Sequence, residues 1–69
     1  MQLLDTVALS EDLPAYGLRK GQVGTLVEEL EQGVFEVEFA DTDGRAYAML
    51  ALSDKQLLQL HHTPAQQAA

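Results

Sequence analysis

The clearest periodicity in the chain is Val34-Phe35-Glu36-Val37-Glu38-Phe39, where apolar and acidic residues alternate with a period of two. Successive side chains of a strand point to opposite faces, so Phe35, Val37 and Phe39 are predicted to face a core, with Glu36 and Glu38 on the other side. Asp41-Thr42-Asp43-Gly44 follows as a tight turn, its Asp-Gly pair suited to the positive φ values that hairpins favour. Arg45 to Leu52 returns as a strand, and Val23 to Leu30 precedes as another. The stretch Val27-Glu28-Glu29-Leu30-Glu31 is itself helix-friendly, but Gly33 follows almost at once and the next segment alternates, which favours a strand. Gly24 inside that strand marks a bulge, or a bend where another backbone comes close.

The outer segments are less regular. Leu3 to Leu9 reads as a first strand, apolar on both faces and carrying one acid, Asp5. Ser10 to Gly21 reads as an irregular loop: Pro14 fixes its own φ and drives Leu13 into an extended shape, while Gly17 and Gly21 permit backbone turns. No helix is expected there. Ser53-Asp54-Lys55-Gln56 resembles a capped start to a single helical or 3₁₀ turn, and Leu57 to Leu60 is a short last strand placed to close a barrel. The predicted fold class is all-β, a small five-stranded SH3-like barrel with one short helical turn before the last strand. The predicted domain spans residues 1–60. Residues 61–69 are polar or small and are expected to form a disordered tail.

A length of 69 residues allows one domain, near the lower limit for folding alone. The apolar material is Leu, Val and Ala with only Tyr16, Phe35, Phe39 and Tyr47 as aromatics, so the core is expected to be aliphatic, and dimerisation could add to its stability. There is no cysteine, which removes disulfides, thiolate metal sites and cysteine nucleophiles, and points to the cytoplasm for so small a domain. The first residues lack the basic and apolar regions of a signal peptide, and no apolar run is long enough to span a bilayer. Eleven acids against four bases give a net charge of −7, which repels phosphate backbones and anionic membranes and attracts basic proteins.

Candidate chemistry is sparse. His61 and His62 are adjacent at the start of the tail without a third ligand at a suitable spacing, and read as solvated residues. Asp5 is either a hydrogen-bonded carboxylate within the first strand or a water-facing one. No nucleophile elbow, Ser/His/Asp constellation or phosphate-binding loop occurs. The expectation is a non-enzymatic module without cofactor or metal.

Two surfaces stand out instead. Seven of the eleven acids lie between Glu28 and Asp43. A two-residue loop at Gln32-Gly33 sets Glu29 across from Glu36, and a three-residue loop sets Glu28 there. Either register opposes like charges, which is destabilising. Glu29, Glu36 and Glu38 are therefore candidate contacts for a basic protein partner, with solubility through excess charge as the other reading. The second surface is Tyr16, Leu18, Tyr47 and Met49. Tyr47 and Met49 share one face of their strand, and if the face carrying Leu50 and Leu52 is core, they are exposed and suited to anchor an interface. A self-associating structural domain and a nucleic-acid-associated barrel are alternatives. The latter has only Arg19, Lys20, Arg45 and Lys55 to offer, too few for a basic stripe.

Asp5-Thr6-Val7-Ala8-Leu9, Asp12-Leu13-Pro14, Tyr16-Gly17-Leu18, Gly21-Gln22-Val23-Gly24-Thr25, Val37-Glu38-Phe39, Asp43-Gly44 and Gln56-Leu57-Leu58 together resemble a small bacterial family, domain of unknown function 4926. The likeness runs from about residue 3 to residue 60. It implies an SH3-like barrel of undetermined role. Some members resemble the protective half of a toxin-antitoxin or toxin-immunity pair. No catalytic residues are carried over by it. The Gln/Ala-rich tail departs from the family pattern. Gly21-x-Val23-Gly24-x-Leu26 is also similar to the glycine-bearing strand motif of ribosomal and elongation-factor barrels, which bears on fold alone.

Overall fold

A computed structural model describes residues 1–65 of the chain. Five strands form one antiparallel sheet: β1 Thr6–Leu9, β2 Val23–Glu31, β3 Val34–Ala40, β4 Ala46–Ser53 and β5 Leu57–Gln59. Their order across the sheet is β4-β3-β2-β1-β5. Single 3₁₀ turns cover Pro14–Tyr16 and Asp54–Gln56. The expected all-β class, the five strands and the turn before the last strand are all present.

The sheet cannot be flat. β4 and β5 are its two outermost strands, and only Asp54–Gln56 connect them. Flat, the outer two of five strands would lie about 19 Å apart at about 4.8 Å per strand. A three-residue 3₁₀ turn rises only about 2 Å per residue. The sheet therefore curls until its edges approach. β5 joins β1 rather than β4, through Val7–Gln59, Ala8–Leu58 and Leu9–Leu57. Curling wraps one face around a single core of Val7, Leu9, Leu18, Leu26, Phe35, Val37, Phe39, Leu52 and Leu57. Leu13, Ala48 and Leu50 pack against it. Phe35, Val37 and Phe39 are all buried, as the alternation of β3 predicts.

Local chemistry fixes the corners. Gly24 pairs with Val7 on one side and Phe39 on the other. A Cβ there would sit 2.7 Å from Val37 Cγ1 and 3.0 Å from the Glu38 carbonyl oxygen, so the close approach requires glycine. Of the two expectations for this position, close approach is the one realised. In the β3–β4 turn, Gly44 adopts φ +83°, donates to the Asp41 carbonyl, and the Asp41 carboxylate accepts from the Asp43 and Arg45 amides. Ser53 caps the second 3₁₀ turn: its hydroxyl accepts from the Lys55 amide, and its own amide donates to the Gln56 side chain. The Asp54 amide donates to the Gly33 carbonyl, which ties this turn to the β2–β3 hairpin.

Two expectations are corrected. The first strand begins at Thr6, not Leu3: Leu4 adopts φ +72°, left-handed backbone incompatible with a strand. The Ser10–Gly21 segment does contain a 3₁₀ turn, with Pro14 at its first position and Gly17, at φ +69°, ending it. At the other end of the domain, His62 meets the sheet, its Nε2 lying 3.2 Å from Thr6 Oγ1. The remainder of the expected tail, residues 66–69, lies outside the described residues.

Candidate partner-binding surface

The outer face of β2, β3 and β4 is set by register. Glu31 pairs with Val34 across a two-residue turn at Gln32-Gly33, where Gly33 takes φ +79°. Two register shifts then intervene, one between Glu31 and Glu29 and one between Glu28 and Leu26. Leu30 and Val27 are the extra residues, both on β2. As a result Glu28 lies across from Glu36, while Glu29 lies across from Phe35. Residues opposite one another share a face. Glu28, Glu31, Glu36 and Glu38 therefore stand on the outer face, and Glu29 is displaced from it. The pairing of Glu29 with Glu36 expected for a two-residue loop is overturned by the bulges, and Glu28 takes that place.

Beyond β3 the rows continue onto β4. Ala51 pairs with Glu36 and Met49 with Glu38. Towards β1, Glu38 pairs with Thr25, and Thr25 with Thr6. The outer face thus carries four carboxylates with alanine, methionine and threonine as neighbours. The carboxylates that accept hydrogen bonds among the described residues are aspartates: Asp5 from the Gln2 amide and Gln59 side chain, Asp12 from the Lys20 amide, and Asp41 in its turn. Asp5 is thus half-buried and hydrogen-bonded, holding β5 to the start of the chain. The glutamates of the face accept no hydrogen bond among the described residues.

The second expected surface divides. Leu18 is only 4% exposed and belongs to the core. A bridge with Leu13, with amide-carbonyl bonds in both directions, folds the loop so that Leu18 points inward. It is not available to a partner. Tyr16 is exposed on the 3₁₀ turn. Met49 is 53% exposed on the outer face. Tyr47 is also half-exposed, but it occupies the register shift between Phe39 and Ala40 and turns its ring towards Phe39, centroids 6.4 Å apart. Its hydroxyl accepts from the Gln22 side-chain amide at 3.1 Å. Gln22 Oε1 in turn accepts from the Arg19 amide. Tyr47 thus leans towards Phe39 and ties the loop to β4 while staying half-exposed, as expected, whereas Met49 stands beside the acidic rows. Both are exposed as expected, but the register shift at Tyr47 takes it out of Met49's row, which alternation does not give.

Among the described residues there is no cavity, no cluster of His, Asp and Glu arranged for a metal ion, and no helix long and apolar enough to cross a membrane.

A family model described as Domain of unknown function (DUF4926) matches residues 3–59, most of the chain, and the protein belongs to that family. No curated protein and no solved structure matches it.

Proposed function

We propose that this member of the family is a small non-enzymatic binding module that recognises a basic protein through the outer face of β2 and β3, as an antitoxin or immunity protein covers the surface of its target. One arrangement carries the reading: Glu28 lies directly across from Glu36, with Glu31 and Glu38 on the same face. Like charges across a strand pair cost stability, where an apolar or opposite-charge pair would add to it. Negative charge spread evenly over the surface would serve solubility as well. Concentrated on one face, it creates a local potential that speeds encounter with a basic surface and disfavours acidic ones. Met49 and Ala51 beside these rows supply apolar contact area. We place the module in the cytoplasm, because a chain this small without cysteine lacks the staples usual in secreted domains.

The test compares the wild-type chain with the E28Q/E36Q/E38Q variant, each immobilised and exposed to host lysate at low salt. A basic protein should be retained by wild type, elute as salt rises, and be retained at least tenfold less by the variant. Equal capture with the same salt profile would remove the acidic face from any role in recognition.

A further inference from the structure

The sheet has three unpaired edges, and they are not alike. β5 offers only Leu57–Gln59, too short to template another strand. The distal half of β2, Glu28–Glu31, is paired on one side only, but it carries three acids and a bulge at Leu30, with a second bulge at Val27 just before it. Bulges and charges are the ordinary ways of blunting an edge. β4 has neither safeguard over most of its length. It runs for eight residues, Ala46–Ser53, with no proline and no charged side chain. Its single register shift lies at the Tyr47 end. Among the described residues its backbone bonds to β3 alone, except at its last residue, where the Ser53 amide donates to the Gln56 side chain, and none of the backbone–backbone bonds formed outside the ladders reaches it. The row of amides and carbonyls on its far side is open.

We infer that the β4 edge accepts an extended basic segment of the partner as an added strand, with Lys or Arg at alternate positions. This rests on the acidic-face reading and specifies how that face is used. The charge pattern selects the occupant. A strand added beside β4 places alternate side chains next to Ala51 and Met49, and the carboxylates of Glu36 and Glu38 lie one strand further on. At about 4.8 Å per strand, that separation is about 10 Å between backbones. A lysine or arginine side chain lying across the small Ala51 meets Glu36 over that distance. Main-chain pairing would give affinity and the alternate basic residues specificity. A second copy of the chain is the less suitable occupant, because each carries a net charge of −7 and edge-to-edge pairing would align the two acidic faces.

The probe is a capped octapeptide alternating Lys and Val, titrated against the full chain by fluorescence anisotropy at low salt. Three companions accompany it: a Glu/Val octapeptide, and two Lys/Val peptides N-methylated on one or the other alternate set of amides. An added strand uses only one edge of the peptide. One methylated peptide should therefore bind at least tenfold more weakly and the other like the parent, while the Glu/Val peptide does not bind. The A51K variant, altered at an exposed position, should weaken the parent peptide at least tenfold with an unchanged thermal midpoint. If both methylated peptides bind like the parent, attraction is electrostatic only: the edge inference falls and the acidic-face reading stands. If the Lys/Val peptide fails to bind at all, the edge inference falls as well, and the lysate comparison alone decides the acidic face.

Discussion

The two faces of β3 are one residue apart and were shaped by different demands. On the inner face, Phe35, Val37 and Phe39 are buried in the core. On the outer face, Glu36 sits across from Glu28, and Glu38 stands between Thr25 and Met49. Inner residues gain from every methylene they bury, at about 0.8 kcal/mol each. On the outer side, Glu36 faces a like charge across the ladder, which costs stability. On the reading proposed above, the outer face serves a partner rather than the fold.

Substitutions can break or sharpen that contrast. The largest effect is expected on the inner face. Phe39→Ala should destabilise by about 3–5 kcal/mol. A chain of this length has a stability on the order of 3–10 kcal/mol, so the variant is expected to lose a large share of it and to melt well below wild type by circular dichroism. Gly24→Ala comes next. Its Cβ meets the β3 backbone at Glu38 as well as the Val37 side chain, and the loss should be about 1–3 kcal/mol in urea denaturation. The outer face is expected to reverse the sign. Glu36→Gln removes the charge facing Glu28 and should raise stability by a few tenths of a kcal/mol. The same repulsion predicts that raising salt stabilises wild type more than the Glu36→Gln variant, because screening removes what the substitution has already removed. A loss of stability in Glu36→Gln would mean that the outer face supports the fold after all.

The inner face was legible in the sequence because period-two alternation needs no knowledge of neighbours. Ser53 as a cap, Gly44 as a turn and Gly24 as a special position were legible for similar reasons, each being local backbone chemistry. The outer face was legible as a composition but not as a geometry. Whether Glu28 or Glu29 opposes Glu36 depends on bulges at Leu30 and Val27, and the run Val27–Glu31 has no apolar rhythm that would place them. Leu18 was misplaced because its inward turn depends on pairing with Leu13, a contact made within a loop that reads as irregular. Leu3 and Leu4 read as part of the first strand because apolar residues beside a strand look like more of it. The left-handed backbone at Leu4 is a tertiary choice, accompanied by its amide bond to the Leu26 carbonyl.

The ladder between β1 and β5 joins opposite ends of the chain, whereas β2, β3 and β4 are joined by tight hairpins. Chain entropy favours the three hairpin-linked strands early and makes the end-to-end ladder the last to form. The domain therefore has a clasp: Leu57–Gln59 against Val7–Leu9, with Leu60 donating to the Thr6 carbonyl just beyond it. The acidic rows and the open β4 edge lie on the part that assembles first. A nascent or partly opened chain would present them before the clasp is shut, so the recognition proposed above would not have to wait for folding to finish.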